Sequence, residues 1–294
     1  MNSQTTSRAR GLTCALAAML IWSTTAIQVK LLQMDSFSLT AISNLVAAAC
    51  LGGWLLVTRQ PAQLTVALRH WRFLLLFGFG ALINAITYFL AFANTSTANT
   101  LISHYTAPVM VLLLAPIFIR ERVSWFALFP LLLALWGMWL ITGGTAISSQ
   151  DMLGIIYGLV SALGYAVVML AARRIPAGLT PLAIMFWQSV ICAAGALPFV
   201  TWPLNYDPAF APFMLTFGAF NVALAGALFF RSFAALKAFT VAILGYIEPV
   251  GAIFLAWLVL GETLTMAVAA GGCLILLSGL LVIWYENRIT AANP

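Results

Sequence analysis

Apolar runs of about twenty residues follow one another along almost the whole chain, separated by short stretches of charged or turn-forming residues. They fall approximately at 11–31, 37–57, 71–92, 99–119, 124–142, 152–172, 180–201, 210–230, 241–260 and 266–285. A helix rising ~1.5 Å per residue needs about 20 residues to cross a ~30 Å hydrocarbon layer, so each run has the length of one crossing. Strands of a membrane barrel are about half as long and alternate apolar with polar residues, whereas these runs are apolar on every side. The sequence therefore predicts an all-α integral membrane protein of ten transmembrane helices, with no room for a large soluble domain. A composition 63% hydrophobic and 7% charged excludes an ordinary soluble surface. The first run has no small-residue cleavage site and leads at once into another, so it reads as a retained span and not as a signal peptide.

The basic residues are placed asymmetrically. With the N-terminus on the cytoplasmic side, 12 of the 13 fall in segments facing the cytoplasm and only Lys30 faces out. That bias sets orientation, so both termini are expected in the cytoplasm. The net charge of +6 forms no patch and calls for no nucleic acid. Cys14, Cys50, Cys192 and Cys273 lie apart within apolar runs, without the pairing of a disulfide or zinc site. The G-x-x-x-x-G-K-[ST] phosphate loop is absent, so neither direct ATP use nor any other cofactor is indicated. Oligomeric state leaves no mark on the sequence.

The chain repeats itself once. His-Tyr-Thr-Ala-Pro-Val at 104–109 lies over Gly-Tyr-Ile-Glu-Pro-Val at 245–250, and the same offset of 141 brings Glu121 over Glu262. Upstream, Gly11, Leu20, Trp22 and Lys30 fall near Gly154, Leu163, Tyr165 and Arg173 at an offset of 143. Two units of five helices, 11–142 and 152–285, account for this. Because five is odd, the second unit enters the membrane from the opposite face, giving the inverted halves characteristic of alternating-access carriers.

A central Trp22-Ser23 in an apolar helix, a Pro-Val followed by a Glu thirteen residues after the Pro, and the recurrence of that pattern resemble the EamA-type repeats of the bacterial drug/metabolite transporter superfamily. The resemblance covers 11–285 and is closest to exporters of amino acids, including aromatic ones. It implies two inverted five-helix repeats in a bacterial cytoplasmic (inner) membrane, exporting small metabolites through a central cavity. In one respect the chain departs from the family, which commonly has Gly where Ser23 stands.

Polar groups within a membrane are costly, so their positions point to a cavity. Glu248 lies about eight residues into its span, roughly 10 Å deep, beyond snorkelling reach. It reads either as a ligand for a substrate amine or proton, or as a structural carboxylate; its repeat partner is Ala107. Pro108 and Pro249 lack N–H groups and are expected to free the carbonyls of His104 and Gly245, making them candidate hinges. Trp22 and Trp187 lie well inside their spans and are candidate stacking walls for an apolar side chain. Asn84, Tyr88, His104, Tyr105, Gln188 and Tyr246 complete the candidate substrate-binding set, each also able to act as interhelical glue. Gly154, Gly158 and Ala162 form a stripe of small residues suited to close packing, and Asn44 and Asn221 read as further glue.

These features predict an exporter of amino acids, aromatic or large apolar ones among them, and related small metabolites. A multidrug or quaternary-amine exporter would use the same aromatic walls and carboxylate. A passive channel is the alternative of a different class. An intramembrane enzyme is disfavoured, because only one acid and one histidine lie deep in the spans.

Overall fold

The computed structural model describes residues 3–32, 34–120, 125–143, 149–204, 208–260 and 265–292. Among them the chain is helical throughout, with no strand. The helices are α1 (Ser3–Trp22), α2 (Thr25–Leu32), α3 (Ser36–Val57), α4 (Ala62–Leu68), α5 (Trp71–Asn94), α6 (Thr97–His104), α7 (Ala107–Phe118), α8 (Leu128–Ile141), α9 (Met152–Ala172) and α10 (Pro181–Ala196). They continue with α11 (Ala211–Thr216), a π-helical stretch at Phe217–Leu224, α12 (Ala225–Ser232), α13 (Ala238–Leu244), α14 (Ile247–Leu260) and α15 (Met266–Ala292).

Short polar residues start several of these helices by accepting from otherwise unpaired backbone amides. Asp35 accepts from the amides of Phe37 and Ser38, both at 3.0 Å, and opens α3. Ser96 caps α6 through the Asn99 amide at 3.1 Å. Thr180 caps α10, where Pro181 at the first helical position has no amide to leave unpaired.

Among the described residues, eight helical stretches are long and apolar enough to cross a membrane: 36–57, 71–94, 99–118, 149–172, 181–199, 211–232, 238–259 and 266–285. The bundle turns large apolar side chains outward, including Leu113 at 65% exposure, Ile117 at 72% and Leu132 at 63%. Water does not tolerate such a continuous apolar surface, whereas lipid does.

The expected spans are modified in specific ways. The run 11–31 divides at Ser23–Thr24 into α1 and α2, and α1 begins as early as Ser3. The runs 99–119 and 241–260 divide at Tyr105–Thr106 and Gly245–Tyr246. The run 124–142 yields the 14-residue α8, shorter than a full crossing. Helix α4 was not expected; it follows Pro61 within the connection between two apolar runs. Glu121 and Glu262, the outer markers of the repeat, lie outside the described residues.

Packing joins the first half of the chain to the second. Helix α5 lies along α9, α1 along α12, α3 along α10, α7 along α13 and α8 along α15. Small residues permit the closest approaches. A Cβ added at Gly154 would fall 2.5 Å from Thr95, and one at Gly158 would fall 1.9 Å from the Ser103 Oγ. With Ala162 fully buried, the stripe on α9 is a packing surface.

Candidate functional site

A cavity of about 230 Å³ lies among the broken helices. Trp22 and Thr25 reach it from either side of the α1/α2 break, and Glu248 from the start of α14. Asn84 and Tyr88 on α5, His104 at the end of α6, Tyr165 on α9 and Gln188 on α10 complete its polar and aromatic wall. Glu248 is the only acidic side chain among the lining residues, and no Lys or Arg is among them.

The aromatic rings form a continuous arch. Tyr88 and His104 have ring centres 4.3 Å apart, His104 stacks on Tyr165 at 5.6 Å, Tyr165 on Phe229 at 5.9 Å, and Phe229 meets Trp22 at 5.0 Å. The two ends of this arch, Tyr88 and Trp22, both line the cavity. Such surfaces suit the flat apolar part of a solute or a cation over the ring faces.

Two polar hubs hold the arch. On one side, Asn84 donates to the Ser161 carbonyl at 3.0 Å and to its Oγ at 3.1 Å, while the Ser161 hydroxyl donates to the Asn84 carbonyl at 3.0 Å. His104 Nδ1 lies 2.9 Å from the same Oγ. With the serine proton directed to the Asn84 carbonyl, His104 donates from Nδ1 and keeps Nε2 as an acceptor. On the other side, the Asn221 amide group donates to the Ile21 carbonyl at 3.2 Å and to the Thr24 and Thr25 hydroxyls at 3.0 Å, and its Oδ1 accepts from Gln28 at 3.1 Å. The Asn221 carbonyl, within the π-helical stretch, accepts the Trp22 indole N–H at 2.7 Å. Asn221 thus fastens both pieces of the first broken span.

Glu248 is surrounded by three links between broken helices. The Ser23 hydroxyl is shared between the Met19 carbonyl at 2.9 Å and the Glu248 carbonyl at 3.0 Å. The Tyr105 hydroxyl lies beside the Glu248 carboxylate, where it can donate to it. Tyr246, fully buried, donates its hydroxyl to the Tyr105 carbonyl at 2.6 Å.

Of the residues expected to bind substrate, the structure brings Trp22, Asn84, Tyr88, His104, Gln188 and Glu248 together at the cavity wall. Trp187 is not among them: its indole N–H donates to the Leu64 carbonyl of α4 at 3.1 Å. Consecutive residues of a helix point about 100° apart, so placing Gln188 in the cavity turns Trp187 away from it. Tyr105 and Tyr246 stand behind the lining, stacked on each other at 5.6 Å. The prolines also act differently from a mid-helix kink. Pro108 is the second residue of α7 and Pro249 the third of α14, so each lies just inside a new helix. The Gly245 carbonyl, expected to be free, accepts the Glu248 amide at 3.1 Å. The carbonyl that reaches across to another helix is that of Tyr105.

Asn221, Tyr165 and Phe229 were missed as cavity residues. Asn221 reads from sequence as glue, which it also is. Tyr165 carried a usable signal, since it is the repeat counterpart of Trp22 and the two line the same cavity.

The EamA-like transporter family matches residues 9–143 and 152–284. The chain belongs to that family. An uncharacterized transporter of Archaeoglobus fulgidus is 30% identical to it over 215 residues, covering 69% of this chain and 73% of the relative. The uncharacterized transporter YxxF of Bacillus subtilis is 27% identical over 227 residues, covering 76% and 73%. A solved crystal structure superposes with a TM-score of 0.82 at 19% identity, over 98% of this chain and 99% of the other, a likeness of fold. This EamA-like protein is accordingly a multi-pass membrane transporter, with a cavity whose boundaries are drawn by both matched segments.

Proposed function

We propose that this EamA-like transporter exports amino acids, including aromatic and other large apolar ones, and related small metabolites across the bacterial cytoplasmic membrane by alternating access. The observation that carries the reading is Glu248, a lone carboxylate facing a cavity of aromatic rings and carboxamides at a helix break. Glu248 receives a substrate ammonium or a proton, Gln188 addresses the substrate's polar end through its amide, and the ring arch holds an apolar side chain. Gln188 Oε1 is buried with no hydrogen-bond partner among the described residues, as suits an acceptor reserved for a solute. The cavity is smaller than the roughly 300–1,000 Å³ usual for drug-sized ligands, which favours a small metabolite.

In this reading α1 with α2, α6 with α7 and α13 with α14 each make one crossing, and α8 makes a short one. Ten crossings then form two inverted five-helix units, 11–142 and 152–285, with both termini cytoplasmic. The packing supports this: exchanging the halves turns the α5–α9 pair into the α12–α1 pair and maps α3–α10, α7–α13 and α8–α15 onto themselves. Pro108 and Pro249 then mark the hinges, at the starts of the second pieces of two equivalent broken helices.

The absence of Lys and Arg among the lining residues favours a second reading, an exporter of organic cations, since no full positive charge awaits a substrate carboxylate. Purified protein in liposomes, offered labelled aromatic and small amino acids and organic amines, separates the two. Saturable uptake with counterflow of amino acids is the expected result; amine transport alone would replace the amino-acid reading, and unsaturable flux would indicate a pore.

A further inference from the structure

We infer that Tyr105 and Tyr246 form an exchangeable pair, in which the hydroxyl of one donates to the backbone of the other in each of two states, and that Tyr105 thereby positions Glu248 in only one of them. The inference rests on the alternating-access reading above.

The two tyrosines occupy equivalent places in the sequence, 141 residues apart, each three residues before a proline. Each lies at a helix break, between α6 and α7 or between α13 and α14. Their rings stack at 5.6 Å with planes 29° apart. Equivalent residues in equivalent surroundings would make equivalent bonds, yet these do not. Tyr246 donates to the Tyr105 carbonyl at 2.6 Å, whereas Tyr105 addresses the Glu248 side chain. The Tyr105 carbonyl is available because the Val109 amide turns instead to Thr106, at 2.9 Å.

An inverted-repeat carrier reaches its second state by letting each half adopt the conformation of the other. Under that exchange, Tyr105 donates to the Tyr246 carbonyl. Tyr246 then faces position 107, the counterpart of 248, where Ala107 offers no acceptor. The donor that holds the Glu248 carboxylate in the state described here is thus withdrawn in the other. Glu248 meets substrate with a hydroxyl partner on one side of the cycle and without it on the other, giving the two faces different affinities for an amine. Tyr105 is a positioning residue, acting on the substrate through Glu248.

A single reporter cysteine tests the exchange. Ala85→Cys, on the cavity wall and half-buried, is introduced after replacing the four native cysteines by Ala, and its labelling is measured from each side of oriented proteoliposomes. Tyr246→Phe removes the bond of the present state and shifts the ratio of labelling from the two faces by about two- to tenfold, the worth of one hydrogen bond. In a Glu248→Ala background, where Tyr105 has no carboxylate to bond in the present state, Tyr105→Phe shifts it in the opposite direction relative to the Glu248→Ala protein. Site-specific 3-fluorotyrosine, which keeps the shape and strengthens the donor, reverses each shift. Shifts in the same direction, or none, overturn the exchange, because a merely structural loss has no reason to favour opposite faces. Counterflow by the unsubstituted protein tests the carrier reading separately: without counterflow that reading falls, whereas counterflow with same-direction shifts sinks the tyrosine exchange alone.

Discussion

Ser23 holds the backbone of Glu248: its hydroxyl reaches the Glu248 carbonyl at 3.0 Å, tying the break in the first span to the start of α14. A Cβ added at Gly251, one turn further along α14, would lie 2.2 Å from the Ser23 Oγ and 2.8 Å from its Cβ. The serine that departs from the family pattern is therefore accommodated by a glycine on the facing helix.

Gly251→Ala is expected to destabilise the protein by about 1–3 kcal/mol, the usual range for overpacking. Ser23→Gly in the same chain removes both clashing atoms and restores most of that loss. Thermal unfolding of the two single variants and the double variant in detergent checks this, and additive losses would show that the two positions do not press on each other.

Glu248→Gln keeps the shape of the side chain and removes its charge. If Glu248 contacts a substrate ammonium, binding weakens by roughly 1.5–3 kcal/mol, about tenfold or more. If it carries a proton, substrate exchange without a gradient persists while acceleration by a pH gradient disappears. Titration calorimetry and counterflow, with and without a gradient, separate the two roles; unchanged behaviour in both would assign Glu248 to structure alone.

The two tryptophans should part company. Trp22→Ala opens the aromatic arch and lowers the ratio of aromatic to small amino-acid transport. Trp187→Phe leaves that ratio unchanged and costs about 0.5–1.5 kcal/mol of stability through the lost bond to Leu64. Competition assays against one labelled substrate measure the ratio, and a Trp187→Phe protein with altered selectivity would place that ring back at the cavity.

Orientation is open to direct labelling. Single cysteines in 60–68 should resist an impermeant external thiol reagent in intact cells, and those in 146–149 should react, following the distribution of basic residues. The reversed pattern would invert the topology.

Long apolar runs made the helical membrane fold legible from sequence, since hydrocarbon leaves the backbone few alternatives. The depth of Glu248 and the polar pair Asn84 and Tyr88 likewise marked the cavity. Rotation was harder to read. In a helix apolar on every side no polar stripe tells Trp187 from Gln188, and the side they face depends on where α10 packs. The breaks were partly legible: prolines marked two of them, but the division at Ser23–Thr24 has no proline, and the π-helical winding around Asn221 depends on tertiary partners.

That winding has a geometric consequence. In a regular helix turning about 100° per residue, Phe217 and Gly226 would stand on opposite sides, nine residues and half a turn apart. A π turn advances about 82° per residue, so carrying it through Phe217–Leu224 narrows the angle to roughly 50°. Phe217, Asn221, Gly226 and Phe229 can therefore share one cavity. A return to ordinary α winding would swing Gly226 and Phe229 away from Phe217 with no domain needing to move, so the wall presented to a solute is set by local twist within one span.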